Sequence, residues 1–146
     1  MRRVLPTLEA TEALAARVAA LARPGDAVLL AGDLGAGKSA FARAFLRAAA
    51  GDAGLEVPSP TFTLVQSYET ARGVVHHFDL WRLDGPGALA ELGWDEMIRD
   101  IVLVEWPDRL GDLRPEDALE IRLVATGPES REVALSGWDD RLGALA

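Results

Sequence analysis

Ala27-Val28-Leu29-Leu30-Ala31 followed by Gly32-Asp33-Leu34-Gly35-Ala36-Gly37-Lys38-Ser39 constrains this chain more than any other stretch. Five consecutive apolar residues read as a strand covered on both faces. The octet behind them fits G-x-x-x-x-G-K-[ST] at every position. Residues 38–50, KSAFARAFLRAAA, are rich in helix formers and place Phe41 and Phe45 one turn apart. Strand, glycine loop and helix in this order form a phosphate-binding unit. The glycines let backbone N–H groups turn inward around an anion, and the helix N-terminus adds partial positive charge. In such a loop Lys38 reaches β- and γ-phosphates, and the Ser39 hydroxyl ligates Mg²⁺.

The basic residues support the motif independently. Of 15 lysines and arginines, Lys38 is the one lysine. A compact ammonium on a flexible stem fits inside a phosphate cradle, whereas a planar guanidinium is wider and forks. The same scarcity removes the Asn-Lys-x-Asp segment that reads guanine, which leaves ATP as the expected nucleotide. Asp84-Gly85-Pro86-Gly87 fits D-x-x-G but does not directly end a buried strand, and is read as a turn. Leu135-Ser136-Gly137 resembles the start of a transporter ATPase signature only by coincidence, since it closes a late strand.

The remaining pattern is mixed α/β. Thr7 is placed to cap a helix running to about Ala22, with Leu14, Val18 and Leu21 on one stripe. Residues 62–69 and 74–81 read as a hairpin around Ala71-Arg72-Gly73. A short helix is expected at 86–92, a buried strand at 101–105, and two closing strands at 118–125 and 131–136. With 146 residues and 49% apolar content, residues 1–146 are expected to form a single domain. The absence of cysteine excludes disulfides and thiolate chemistry. The first residues lack the apolar run of a secretory signal, and nothing approaches the ~20 apolar residues of a membrane span, so a cytoplasmic location is expected. A net charge of −8 argues against a broad nucleic-acid-binding face but leaves room for a local nucleotide site.

A nucleotide-bound Mg²⁺ needs further oxygen ligands, and an attacking water needs a carboxylate to orient it. Glu105 ends the apolar run Ile101-Val102-Leu103-Val104, and Asp79 follows Val74-Val75-His76-His77-Phe78. Either acid could serve either role. His76 and His77 alternate faces of one strand, with no further histidine to make a metal site; for His77, hydrogen bonding or packing competes with a catalytic part. Arg82 is a candidate for phosphate contact, though a surface ion pair is an arginine's commoner fate.

Together with GDLGAGKS, the segments SPTFTLVQSYE (59–69), HFDLWRL (77–83), ELGW (91–94) and VEWPDRL (104–110) resemble the bacterial TsaE (YjeE) family. The similarity runs in order from the first helix to PEDALEIRL (115–123). It implies a compact α/β P-loop NTPase-like fold, with a mixed, partly antiparallel sheet flanked by helices. It also implies a weak ATPase, stimulated by the TsaB and TsaD proteins, that resets their complex between cycles of threonylcarbamoyladenosine formation on tRNA. The tRNA would be held mainly by those partners. By the same resemblance Asp33, Leu34, Gly35, Ala36, Gly37, Lys38 and Ser39 hold the phosphates of ATP, and Ser39 and Glu105 bind Mg²⁺. Thr61 serves as a switch-loop hydroxyl near the γ-phosphate, Asp79 assists hydrolysis, Trp106 packs near the site, and Thr11 touches the nucleotide. Ser39 stands where the family more often has threonine, with the hydroxyl retained, and Trp81 where tyrosine is usual. A small-molecule kinase is the competing enzyme reading, but the chain has little length for a substrate insertion and lid. A nucleotide-dependent scaffold that barely turns over ATP is the non-enzymatic alternative.

Overall fold

A computed structural model describes residues 1–60 and 62–145 of the chain. Its elements are β1 (Arg2–Leu5), α1 (Leu8–Leu21), β2 (Ala27–Ala31), α2 (Lys38–Ala50), β3 (Val65–Thr70), β4 (Gly73–Asp79), α3 (Gly87–Leu92), α4 (Trp94–Met97), β5 (Ile101–Glu105), β6 (Leu119–Ala125) and β7 (Arg131–Ser136). Two 3-10 segments, Pro107–Leu113 and Leu142–Leu145, complete them.

The seven strands lie in one sheet in the order β1-β7-β6-β2-β5-β4-β3. β2 runs parallel to β5 on one side and β6 on the other, and β4 runs parallel to β5. Antiparallel pairs finish both flanks, β1–β7 and β6–β7 at one edge and β3–β4 at the other. This is the mixed, partly antiparallel sheet flanked by helices that the sequence led us to expect.

Strand alternation divides the apolar side chains of β2 between two cores. Val28 and Leu30 join Val18 of α1 and Phe41 and Phe45 of α2 on one face. Leu29 joins Phe78, Leu89, Trp94 and Leu110 on the other. Every residue of β2 is therefore buried, and each large side chain taken out of water contributes about 1.5–3 kcal/mol. Thr7 caps α1 as expected, its Oγ1 accepting from the Ala10 amide at 3.1 Å. Among the described residues no helix is long and apolar enough to cross a membrane.

The hairpin is shorter than its apolar pattern suggests. β3 starts at Val65 because Leu64 adopts a left-handed conformation (φ 67°) and its N–H turns back to Pro60 O at 2.7 Å. β4 stops at Asp79 rather than continuing to residue 81, since the Trp81 amide folds onto Asp79 Oδ1 at 3.0 Å. Four elements were not legible in advance: β1, α4 and the segments Pro107–Leu113 and Leu142–Leu145. β1 is four residues long and is held by pairing with β7, from Arg2↔Ala134 to Leu5↔Arg131, so no local pattern announces it.

Candidate functional site

The loop after β2 turns sharply and passes close to β6. Gly32 has a φ of 145°, and a Cβ there would lie 2.5 Å from Leu123 O, so only glycine fits. Gly37, at φ 105°, makes the last turn into α2 without a side-chain cap, which leaves the first N–H groups of the helix available to an anion. Lys38 is 5% exposed. Its Nζ donates to Gly32 O (2.5 Å) and Asp33 O (2.8 Å), and lies 3.9 Å from the centre of the Trp106 ring. Burial lowers its pKa from the usual 10.5, against the opposing pull of Glu105, Asp33, Asp79 and Asp108.

Trp106 reaches the lysine from a left-handed backbone (φ 60°, ψ 55°) directly after β5. Such a conformation in a bulky residue costs of order 1–3 kcal/mol and persists only where the surroundings over-determine it. Here the indole contacts Lys38 on one side and the Trp81 ring on another, with a 4.5 Å centroid separation.

The two strand-end acids meet beneath this loop. Parallel pairing of β4 with β5 sets Asp79 opposite Glu105. Glu105 is 2% exposed; its Oε1 accepts from Ser39 Oγ at 3.0 Å and its Oε2 is 2.7 Å from His77 Nε2. The helix that opens with Lys38 and the strand that ends with Glu105 thus share a hydroxyl–carboxylate contact. A hydroxyl and a carboxylate oxygen 3.0 Å apart are hard donors suited to Mg²⁺, which binds through one or two carboxylates and completes its shell with phosphate and water. Among the described residues no group of three or more His, Cys, Asp or Glu side chains converges on one point, and a phosphate-borne Mg²⁺ does not require one.

A further residue holds the loop from outside. Arg131, the first residue of β7, donates from Nε to Ala36 O (2.8 Å) and from NH2 to Gly35 O (3.4 Å). Its NH1 bonds Gly127 O and Ser130 O in the β6–β7 turn. The same turn sends Glu129 Oε1 to the Leu8 amide at the start of α1. Sequence reading missed Arg131, which lies more than ninety positions after the loop and belongs to no motif.

The expected site residues fall as follows. Residues 33–39, Asp79 and Glu105 lie around the loop and the adjoining strand ends. The Leu34 side chain projects into solvent. Thr11 is buried on α1 and, among the described residues, no hydrogen bond joins it to the loop. Thr61 lies outside the described residues. Arg82 lies over the Phe62 ring, 4.7 Å from its centre.

A family model described as "Threonylcarbamoyl adenosine biosynthesis protein TsaE" matches residues 5–133. The chain belongs to the TsaE family. It is 37% identical over 129 residues to the tRNA threonylcarbamoyladenosine biosynthesis protein TsaE of Rickettsia felis, covering 88% of this chain and 75% of that protein. Against TsaE of Bacillus subtilis the identity is 34% over 141 residues, 94% of this chain and 85% of the relative. The crystal structure of YdiB from Bacillus subtilis superposes with a TM-score of 0.77 at 30% identity, covering 99% of this chain and 90% of that one. The TsaE fold thus extends through the flanking antiparallel strands as well as the loop-bearing centre.

Proposed function

We propose that this chain is a Mg²⁺-dependent ATP hydrolase serving the formation of threonylcarbamoyladenosine on tRNA, its turnover resetting a TsaB–TsaD transferase complex between cycles in the cytoplasm. Membership of the TsaE family supports the pathway. The observation that carries the ATPase reading is the Ser39–Glu105 contact at 3.0 Å directly below a complete G-x-x-x-x-G-K-S loop.

In this reading the main-chain N–H groups of residues 33–39 hold the phosphates. Lys38 exchanges its two carbonyl contacts for β- and γ-phosphate oxygens, a gain in charge complementarity for an ammonium that burial disfavours. Ser39 Oγ and Glu105 Oε1 would hold Mg²⁺, which supplies neutralisation of the charge developing on the transferred phosphoryl group. Asp79, directly opposite Glu105 on β4, orients the attacking water and accepts its proton. What supports this division of labour between the acids is that Glu105 contacts the loop hydroxyl, while Asp79 sits beside it.

The experiment is phosphate release from ATP with and without the TsaB and TsaD proteins, coupled to reconstituted tRNA modification. Turnover is expected to be slow alone, faster with the pair, and required for repeated modification. Glu105→Gln should lower turnover by more than the roughly 10- to 100-fold typical of partners one bond removed from a metal ligand. A Glu105→Gln protein that hydrolyses ATP at the original rate would refute the assignment, as would a phosphorylated small-molecule product.

A further inference from the structure

We propose that His77 is the positioning residue that fixes the Glu105 carboxylate for its metal, an inference that rests on the reading of Ser39 and Glu105 as the Mg²⁺ pair. β4 places His77 beside Leu103 of β5, two residues before the Asp79–Glu105 pair and on the same face of the sheet. From there Nε2 reaches Glu105 Oε2 at 2.7 Å, while Oε1 of the same carboxylate faces Ser39. The two bonds grip opposite oxygens. A carboxylate held at only one oxygen is free to rotate about its terminal bond; held at both, it presents Oε1 to Ser39 in one orientation.

The chemistry of the ring indicates that this bond is its purpose. His77 is 2% exposed on a strand where the neighbouring same-face residue is Val75, a place where an apolar side chain avoids the cost of burying polar atoms. A carboxylate oxygen only accepts, so the proposed grip is a bond that Nε2–H donates to Glu105 Oε2. Nδ1 is fully buried and has no partner among the described residues. Among the described residues the ring's one hydrogen bond is therefore the one to Glu105. His76 next door shows the contrast: its Nδ1 lies 2.7 Å from Ser67 Oγ on β3 and its Nε2 2.8 Å from Asp100 Oδ2 just before β5, both nitrogens satisfied in a structural bridge. His77 instead leaves one buried nitrogen unpaired while orienting an acid of the site, the arrangement by which an outer partner tunes a metal ligand.

The test is a Mg²⁺ titration of binding of a non-hydrolysable ATP analogue, by calorimetry, with a parallel series in EDTA. His77→Leu fills the buried volume without a donor. Its half-saturating Mg²⁺ concentration is expected to rise about 10- to 100-fold, while metal-free nucleotide affinity stays as in the unaltered chain. His77→Gln, whose amide nitrogen can take the place of Nε2, should restore the Mg²⁺ response. An unchanged response in His77→Leu, an equal loss with and without metal, or failure of glutamine to rescue each overturns the proposal. Nitrogen NMR of the unaltered chain gives a check that needs no variant: the hydrogen on Nε2 of His77 upholds the proposal, and the hydrogen on Nδ1 overturns it. Glu105→Gln in the same titration separates the two readings. If the unaltered chain shows no Mg²⁺ dependence, the metal site itself fails; if Glu105→Gln loses it and His77→Leu does not, only the role of His77 fails.

Discussion

Lys38 carries a conflict that its neighbours only partly relieve. Its ammonium is buried, bonded to two carbonyls and stacked on Trp106, and four carboxylates attract it. Desolvation still outweighs them and lowers its pKa from 10.5. Between the lowered value and 10.5 the unfolded chain binds more protons than the folded one, so Lys38 makes stability rise as pH climbs through that interval. Tyr68 has the opposite sign: burial raises its pKa from 10.0, so it takes stability away only above about pH 10. Lys38→Met should therefore remove the alkaline rise expected below about pH 10.5 and leave the chain at least as stable near neutrality, while abolishing ATP binding. Thermal melts across pH, beside calorimetry with ATP, measure both; a markedly less stable Lys38→Met chain that still binds ATP contradicts this account. The lysine was legible because its motif is local and complete. The family resemblance placed Trp106 near the site, as it is, but its stacking on Lys38 was not legible, because a left-handed backbone at a tryptophan has no sequence signature.

The strand–loop–helix unit from β2 to α2 was readable for the same reason: its strand, glycines and helix are neighbours in the chain, and each obeys a local rule. The β6–β7 hairpin was also readable as two alternating strands, but not as part of the site. Its first β7 residue, Arg131, grips the carbonyls of Gly35 and Ala36 and turns their peptide units so that the loop keeps its shape. Hydrogen bonds to a charged group contribute about 1.5–3 kcal/mol each when buried, less where exposed. Arg131→Met should accordingly weaken ATP binding by about tenfold or more and lower stability by about 1–3 kcal/mol. Arg131→Lys should not restore it, since an ammonium lacks the fork that spans both carbonyls and the turn. Calorimetry and urea unfolding test this; undiminished ATP affinity in Arg131→Met would remove the hairpin from the site. At the other edge, apolar alternation overran β3 and β4 at their loop ends because Leu64 and Trp81 turn the backbone there, where hydrogen bonding rather than hydrophobicity decides.

A chain with net charge −8 is poorly suited to hold a polyanion alone. On the proposed function, tRNA should be retained in a filter-binding assay at physiological ionic strength only when the TsaB and TsaD proteins are present. Tight, salt-sensitive retention by this chain alone would contradict that division of labour. Most strands, both long helices and the phosphate loop follow from patterns a few residues long, because periodicity and local sterics act between neighbours. The sequence by itself determined those elements, the glycine-rich loop and the two acids that end the neighbouring strands. Tertiary structure alone decided which groups meet: β1 found its place on β7, the register of β4 on β5 set Asp79 beside Glu105, His77 acquired Glu105 as its partner, and Arg131 came to hold the loop. Those contacts join residues up to more than a hundred positions apart, and their existence depends on the order in which strands assemble, which no short stretch of sequence encodes.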